Sequence, residues 1–343
     1  AVIQQIFYSG FPTETQLEKS RPLIDQAILL DPQSSEAFAA LGMWYRHSGD
    51  TEKAIKAYEQ AMTLGPNSAQ TLASYGNLVL YRKSDPALAI KLFKRAVELD
   101  PQNVGPKSEL ASAMPYAGQA EEGIRMLEGV VAEHPDAAVG YRDLARLYSN
   151  WEFRHDKGIK ALRRAYLLDS NHPPNSYWNA IMHWRLGDYD NTALWMNNIA
   201  RLVPDSDEAR VYRGWAFNAQ RDFESAREEF YRSNSDSSLY WLGIFYLGNV
   251  DTAEGRPEDA IERFEEFAAS FDGRKTNVNF YFGLAAINAY QALGEREKAQ
   301  ALIDELLSAI SASPNLIYHD SAIHDASIYA LAGQEETAIA TLE

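Results

Sequence analysis

The sequence predicts an all-α chain of about ten stacked helix-turn-helix units, and three observations predict it. Pro32, Pro66, Pro101 and Pro135 stand 34, 35 and 34 residues apart, and three of the four follow Asp or Gly. Between them, apolar and small residues recur at helical spacing, and strand alternation is nowhere sustained. The chain has 343 residues, more than one hydrophobic core usually serves, and an array of short units accommodates that length.

The elements follow in order. The clearest unit runs over residues 35–68, with Phe38, Leu41-Gly42, Tyr45, Gly49-Asp50, Ala54, Tyr58, Ala61 and Pro66. Gly49 suits the left-handed residue that ends a first helix, and Asp50 suits the cap of a second. Pro66 and Pro101 end second helices, because proline cannot continue one. Gly42 and Gly76 let paired helices approach, while Tyr45, Tyr58 and Phe93 fill the space between them. The next unit has Leu72, Tyr75-Gly76, Val79, Ala89, Phe93, Ala96 and Pro101, with one inserted residue near Pro86. Later units are looser, marked by Gly187-Asp188, by Gly214 with Phe230, by Leu242-Gly243 with Phe264, by Gly294 and by Gly333.

This pattern, W-x2-L-G-x2-Y…A-x3-F…P, resembles the tetratricopeptide repeat family position by position. The resemblance implies one right-handed superhelical solenoid over residues 1–343. Its units are about 1–34, 35–68, 69–103, 104–137, 138–172, 173–206, 207–235, 236–275, 276–315 and 316–343. It also implies a function: members of the family hold protein or peptide partners on the concave surface lined by their first helices.

Composition narrows the partner. Acids outnumber bases 48 to 32, for a net charge of −16, so nucleic acid and anionic lipid are repelled on average. A basic partner, or a neutral one with apolar anchors, fits better. No apolar run is long enough for a membrane span. The absence of cysteine excludes thiol chemistry and Cys-ligated zinc, and leaves the compartment open.

Numbering each unit from its first residue, at about 100° per residue, sets positions 4, 7, 8 and 11 of the first helix on one face. Positions 2, 5, 6, 9, 12 and 13 lie opposite, on the side the family uses for binding. Arg142 and Arg146 take positions 5 and 9, one turn apart, where two guanidinium groups can grip a carboxylate or phosphate. Nearby stand Arg154, Lys157, Lys160, Arg163 and Arg164. Asn77 sits at position 9 of its unit, but Ala39 and Ala73 occupy position 5, where a carboxylate clamp of the family's kind wants lysine. A solvated basic face is the other reading of these arginines. Residues 177–246 hold five of the seven tryptophans. Tyr177, Trp178, Trp184, Tyr212, Trp215, Tyr240 and Trp241 map to inner positions, as an aromatic wall for a partner. The competing reading is that loosened repeats need larger rings to fill wider gaps, and the register near His183 is uncertain by one residue.

No phosphate loop, dinucleotide fingerprint, nucleophile elbow or H-E-x-x-H motif occurs, so neither catalysis nor a cofactor is expected. His319-Asp320 and His324-Asp325 are spaced five apart, about 140° round a helix and poorly placed to share a metal. Acid pairs such as Glu121-Glu122, Glu228-Glu229, Glu265-Glu266 and Glu335-Glu336 read as solvated faces. The leading expectation is a non-catalytic scaffold. The alternative is the sensory or regulatory repeat region of a larger bacterial transcription regulator or nucleotide cyclase, which the opening helix and the linker at Phe11-Pro12 loosely resemble. Neither end carries a clear polar cap, so the native chain is expected to continue beyond one or both.

Overall fold

A computed structural model describes residues 14–83, 85–151, 154–204, 207–232, 240–270, 278–312 and 321–342. Every regular element among them is helical. The leading segment Ala1 to Ser9, the Phe11-Pro12 linker and His319 lie outside the described residues, as does the side chain of His324. The chain forms two compact units, Ala1–Met182 and His183–Glu343.

In the first unit, α1 spans Glu14–Leu30 and is followed by paired helices. These are α2 (Ser35–His47) with α3 (Thr51–Leu64), then α4 (Ala69–Leu78) with α5 (Pro86–Leu99). Next come α6 (Val104–Ala113) with α7 (Ala120–Glu133), then α8 (Ala138–Asn150) with α9 (His155–Leu168). The helix α10 (Pro173–Arg185) begins in this unit.

Side-chain caps start some of these helices, and Asp50 does so as the sequence predicts. Ser34 Oγ accepts from the Ala37 N–H at 3.2 Å, Asp50 Oδ1 from Lys53 at 3.1 Å, and Asp85 Oδ1 from Leu88 at 2.9 Å. Each satisfies one of the donors that a helix leaves without an intrahelical partner. Gly49 turns the chain from α2 to α3 at φ +85°, as its place before a capping Asp requires. The inserted residue of the 69–103 unit is taken up at the end of α4, where Val79–Lys83 forms a π-helical turn. The corresponding end of α6 tightens into a 3-10 turn at Met114–Ala117.

One contact recurs in both units. A first-helix glycine stands directly under a second-helix ring. A Cβ at Gly42 would lie 2.9 Å from Tyr58, and one at Gly76 would lie 2.7 Å from Phe93. Gly214 and Gly248 meet Phe230 and Phe264 in the same way, at 2.6 and 2.5 Å. Tyr58 and Phe93 are fully buried, so each pair closes on an aromatic wedge that contributes about 1.5–3 kcal/mol by burial. Tyr45 is only half-buried, under the Arg21 and Lys53 side chains.

The second unit takes up the end of α10 and continues with α11 (Tyr189–Leu202), then α12 (Asp207–Ala219) with α13 (Phe223–Tyr231). It goes on through α14 (Tyr240–Ala253) with α15 (Pro257–Ser270), α16 (Val278–Leu293) with α17 (Arg296–Ala312), and α18 (Ser321–Leu331) with α19 (Glu335–Leu342). A buried carboxylate ties three of these elements together. Asp251 of α14 has no exposed side-chain surface and accepts from Arg227 of α13 at 2.7 Å and from Arg256 at 2.8 Å. Arg263 of α15 stands 3.7 Å away. Three cations around one desolvated acid offset the cost of burying it.

Candidate functional site

The inner positions of the first unit converge on a buried polar cluster. Asn77, Glu109, Asp143 and Trp178 come from four successive first helices: α4, α6, α8 and α10. Glu109, Asp143 and Trp178 occupy position 6 of their units, one step apart along the array. The Asn77 side chain neighbours the Glu109 carboxyl. Burial, reinforced by the Asp143 charge, pushes that carboxyl above its usual range, although Asn77 and the two arginines pull it back.

Arg142 and Arg146 lie where the wheel puts them, but they hold an acid of their own chain. Both direct a guanidinium to Asp143 Oδ1, Arg142 through Nε and Arg146 through Nη1, each at 3.4 Å. The Asp143 side chain is 6% exposed, and the arginines 17% and 15%. Asp143 therefore offsets one of the two positive charges from within the protein. Its bonds are long, because a charge-assisted pair usually closes to about 2.8 Å. One oxygen is shared between the two donors.

Aromatic rings frame the cluster. Tyr81, on the π turn, accepts from Arg146 Nη2 at 3.4 Å, and its ring meets Tyr116 edge-on at 6.4 Å. Tyr116 in turn meets Trp151 at 5.9 Å. The Arg146 guanidinium stands 5.0 Å from the centre of the Trp178 ring, at cation–π distance. Burial works against the Arg146 cation, but Tyr81, Asp143 and Tyr116 outweigh it and hold its pKa above the usual value. Burial also keeps His172 below its ordinary range, with Arg142 adding to the effect.

The remaining basic residues are dispersed. Arg154 pairs with Asp156 at 3.2 Å, Lys157 lies 4.7 Å over the Tyr148 ring, and Arg164 lies 5.9 Å over Tyr141.

The aromatic wall divides. Tyr177 and Trp178 are half-buried and meet edge-on at 5.6 Å, with Trp178 packed against Ala145, Ala161, Leu162 and Met182. In the second unit Trp184 is half-buried, 5.2 Å from Tyr189 and 5.9 Å from Trp215. The expectation that Tyr212 and Trp215 present ring faces to a partner is corrected, since they are 4% and 3% exposed. Trp215 lies 4.6 Å from Tyr246, which stacks on Phe230 at 5.7 Å, so these rings fill the space between helix pairs. The side chains of Tyr240 and Trp241 lie outside the described residues. His183, where the register was open, is the buried residue, and its Nδ1 meets Asp188 at 2.9 Å. Asp188 also caps α11, so the pair anchors a turn.

Glu109 and Asp143 were absent from the residues the sequence singled out. The signal for them was present, because both fall on an inner position of the same wheel that selected the arginines.

The comparisons follow the geometry. Residues 38–102, 80–141 and 183–238 each match a profile described as tetratricopeptide repeat. The chain is similar to the TPR repeat-containing protein YvcD of Bacillus subtilis, 21% identical over 355 residues, covering 88% of this chain and 71% of that one. It is also similar to the protein FlbA of Caulobacter vibrioides, 28% identical over 120 residues, covering 35% of this chain and only 20% of the relative. Among solved structures, the APC/C hetero-tetramer Cut9–Hcn1 covers 85% of this chain and 54% of the matched one, with a TM-score of 0.58 at 14% identity. No helix among the described residues is long and apolar enough to cross a membrane.

Proposed function

Since this chain belongs to the tetratricopeptide-repeat family, whose members mediate protein–protein interaction, we propose that it is a non-catalytic scaffold holding an extended peptide segment along the first helices of its first unit. The carrying observation is the cluster of Asn77, Glu109, Arg142, Asp143 and Arg146 beside Trp178. A helix stack needs no such cluster to close its core. Burying four charges with bonds as long as 3.4 Å costs stability that apolar residues would not. A peptide backbone, with donors and acceptors alternating, complements a surface that offers both at successive helices. Trp178 and Tyr177 supply half-buried rings for an apolar anchor. An internal acid that already engages both arginines argues for recognition of the chain rather than of a terminal carboxylate. The net charge of −16 favours a partner that is neutral or basic overall.

The test is a peptide-display selection on the folded chain, with enriched peptides re-measured against Arg142→Gln and Asn77→Ala. The proposal predicts enriched sequences that share an apolar anchor and weaken about tenfold in either variant, the effect of one lost charge-assisted bond. Selection of nothing, or of peptides indifferent to both variants, contradicts it.

A further inference from the structure

Little of the polar cluster reaches solvent: Asp143 is buried and the two arginines beside it nearly so, so a peptide backbone meets them only where a wall moves. One wall is joined to its neighbour by polar groups. Position 7 of the first helices carries Leu41, Tyr75, Leu110 and Leu144 in four successive units, but Asn179 in α10. Position 4 of α10 is Ser176, and one turn before Asn179 stands Asn175. All three are fully buried. Asn175 Nδ2 donates to the Ala165 carbonyl of α9 at 3.4 Å and to the Asp169 carbonyl just beyond that helix at 2.7 Å. Asn179 Nδ2 donates to the Leu162 carbonyl of α9 at 3.4 Å and to the Asn175 carbonyl at 2.8 Å. The two amide oxygens, Asn175 Oδ1 and Asn179 Oδ1, are buried with no hydrogen-bond partner among the described residues.

We infer that α10 is the moving wall of the site: it parts from α9 by local opening, without unfolding of the first unit, and so admits a peptide to the cluster. This opening regulates the peptide site and rests on that reading for what enters, but the opening itself is read without a peptide. Three features support it. Docking α10 on α9 confines two acceptor oxygens that water satisfies once the helices part, and each such group disfavours the closed state. The α9 carbonyls lose little in return, since they lie within a helix and Ala165 already accepts from the Asp169 N–H at 3.0 Å. Trp178 is the latch: its ring packs on Ala145, Ala161 and Leu162 and holds the Arg146 guanidinium at 5.0 Å, so when α10 leaves, Arg146 is uncovered. Segments that open locally are those whose contacts are least apolar, and the core face of α10 is polar where earlier first helices are not.

The experiment is native-state hydrogen exchange of the whole chain without a peptide, for wild type and Asn179→Leu. A helix of 13 residues off its support is marginal in water, so opening of α10 exposes its amides. Leucine stands at position 7 in three earlier units, so the variant keeps the fold, which circular dichroism checks; Asn179→Met, with a more adaptable side chain, replaces it if it does not. Residues 177–182 should exchange at least about tenfold faster than residues 159–168 of α9, and the variant should slow them about tenfold, the weight of one unpaired buried group. Equal protection of the two helices in wild type overturns the opening, as does fast exchange that the variant leaves unchanged. A second arm uses the enriched peptides, whose association the variant should slow about tenfold as the open population falls. Peptides that associate with both proteins at one rate overturn the role of α10 as a wall. A selection that yields no peptide counts against the peptide reading, and the exchange result then decides the opening alone.

Discussion

Asp143 sits three residues before Arg146 and holds its guanidinium at 3.4 Å, so an acid between two arginines decides what both can do. If that pairing is what keeps Arg142 and Arg146 from taking an external anion, Asp143→Asn releases them. The variant should lose about 3 kcal/mol of stability, because two buried cations remain without their counter-ion. It should also gain affinity for phosphate. Urea unfolding and a phosphate titration check the two effects, and a stable variant indifferent to phosphate contradicts the assignment.

The glycine-under-ring contact predicts opposite outcomes for one substitution at two places. Gly76→Ala puts a methyl 2.7 Å from the buried Phe93 ring and should destabilise by about 1–3 kcal/mol. Gly129 lies on the exposed side of α7, with nothing within 4 Å of an added Cβ. Gly129→Ala should stabilise by about 0.5–1 kcal/mol through helix propensity alone. Thermal unfolding of the two variants side by side is the check.

Arg221 carries a backbone φ of +61°, the left-handed conformation that glycine takes at the corresponding turns at Gly49 and Gly187. A residue with a Cβ is strained there by about 1 kcal/mol, part of which the larger unfolded-state freedom of glycine cancels. Arg221→Gly should therefore raise stability modestly, by about 0.5 kcal/mol. A lower melting temperature in the variant contradicts this reading of the turn.

The pH dependence of stability carries a signature of His47. Burial holds its pKa down from 6.5 to about 3, with Arg46 and Arg82 adding to the effect. Between those values the unfolded chain takes up a proton at this position and the folded chain does not. Stability from this group is complete above pH 6.5 and is lost as pH falls toward 3. The slope approaches about 1.4 kcal/mol per pH unit in that window. His47→Gln keeps an acceptor for Arg46 and removes the titration. The stability of the wild type relative to the variant should then fall as pH drops from 7 to 4. A difference that does not change with pH contradicts it.

The repeat, its turns and its aromatic wedges were legible in the sequence because each depends on one or two residues whose chemistry leaves little choice. Gly49 before Asp50, Pro66 after a helix, and Gly76 opposite Phe93 each report a local constraint. The inserted residue near Pro86 was legible as an insertion, but not as a π turn carrying Tyr81 and Arg82, since a loop would absorb it equally well. The site was legible only in part. A wheel places Arg142 and Arg146 on one face without showing that Asp143, at the next position, reaches both. It places Tyr212 and Trp215 on the inner side as well. Whether a large ring there faces solvent or closes a gap depends on the spacing of neighbouring helices, which no single unit encodes.

The most direct test of the account is hydrogen–deuterium exchange of the chain with and without a peptide from the selection. The account predicts added protection in residues 69–83, 104–117 and 138–150, the first helices carrying the polar cluster, and none in residues 86–99 or 120–133 of the paired second helices. Protection confined to the second helices would contradict the claim that this cluster is where a partner is held.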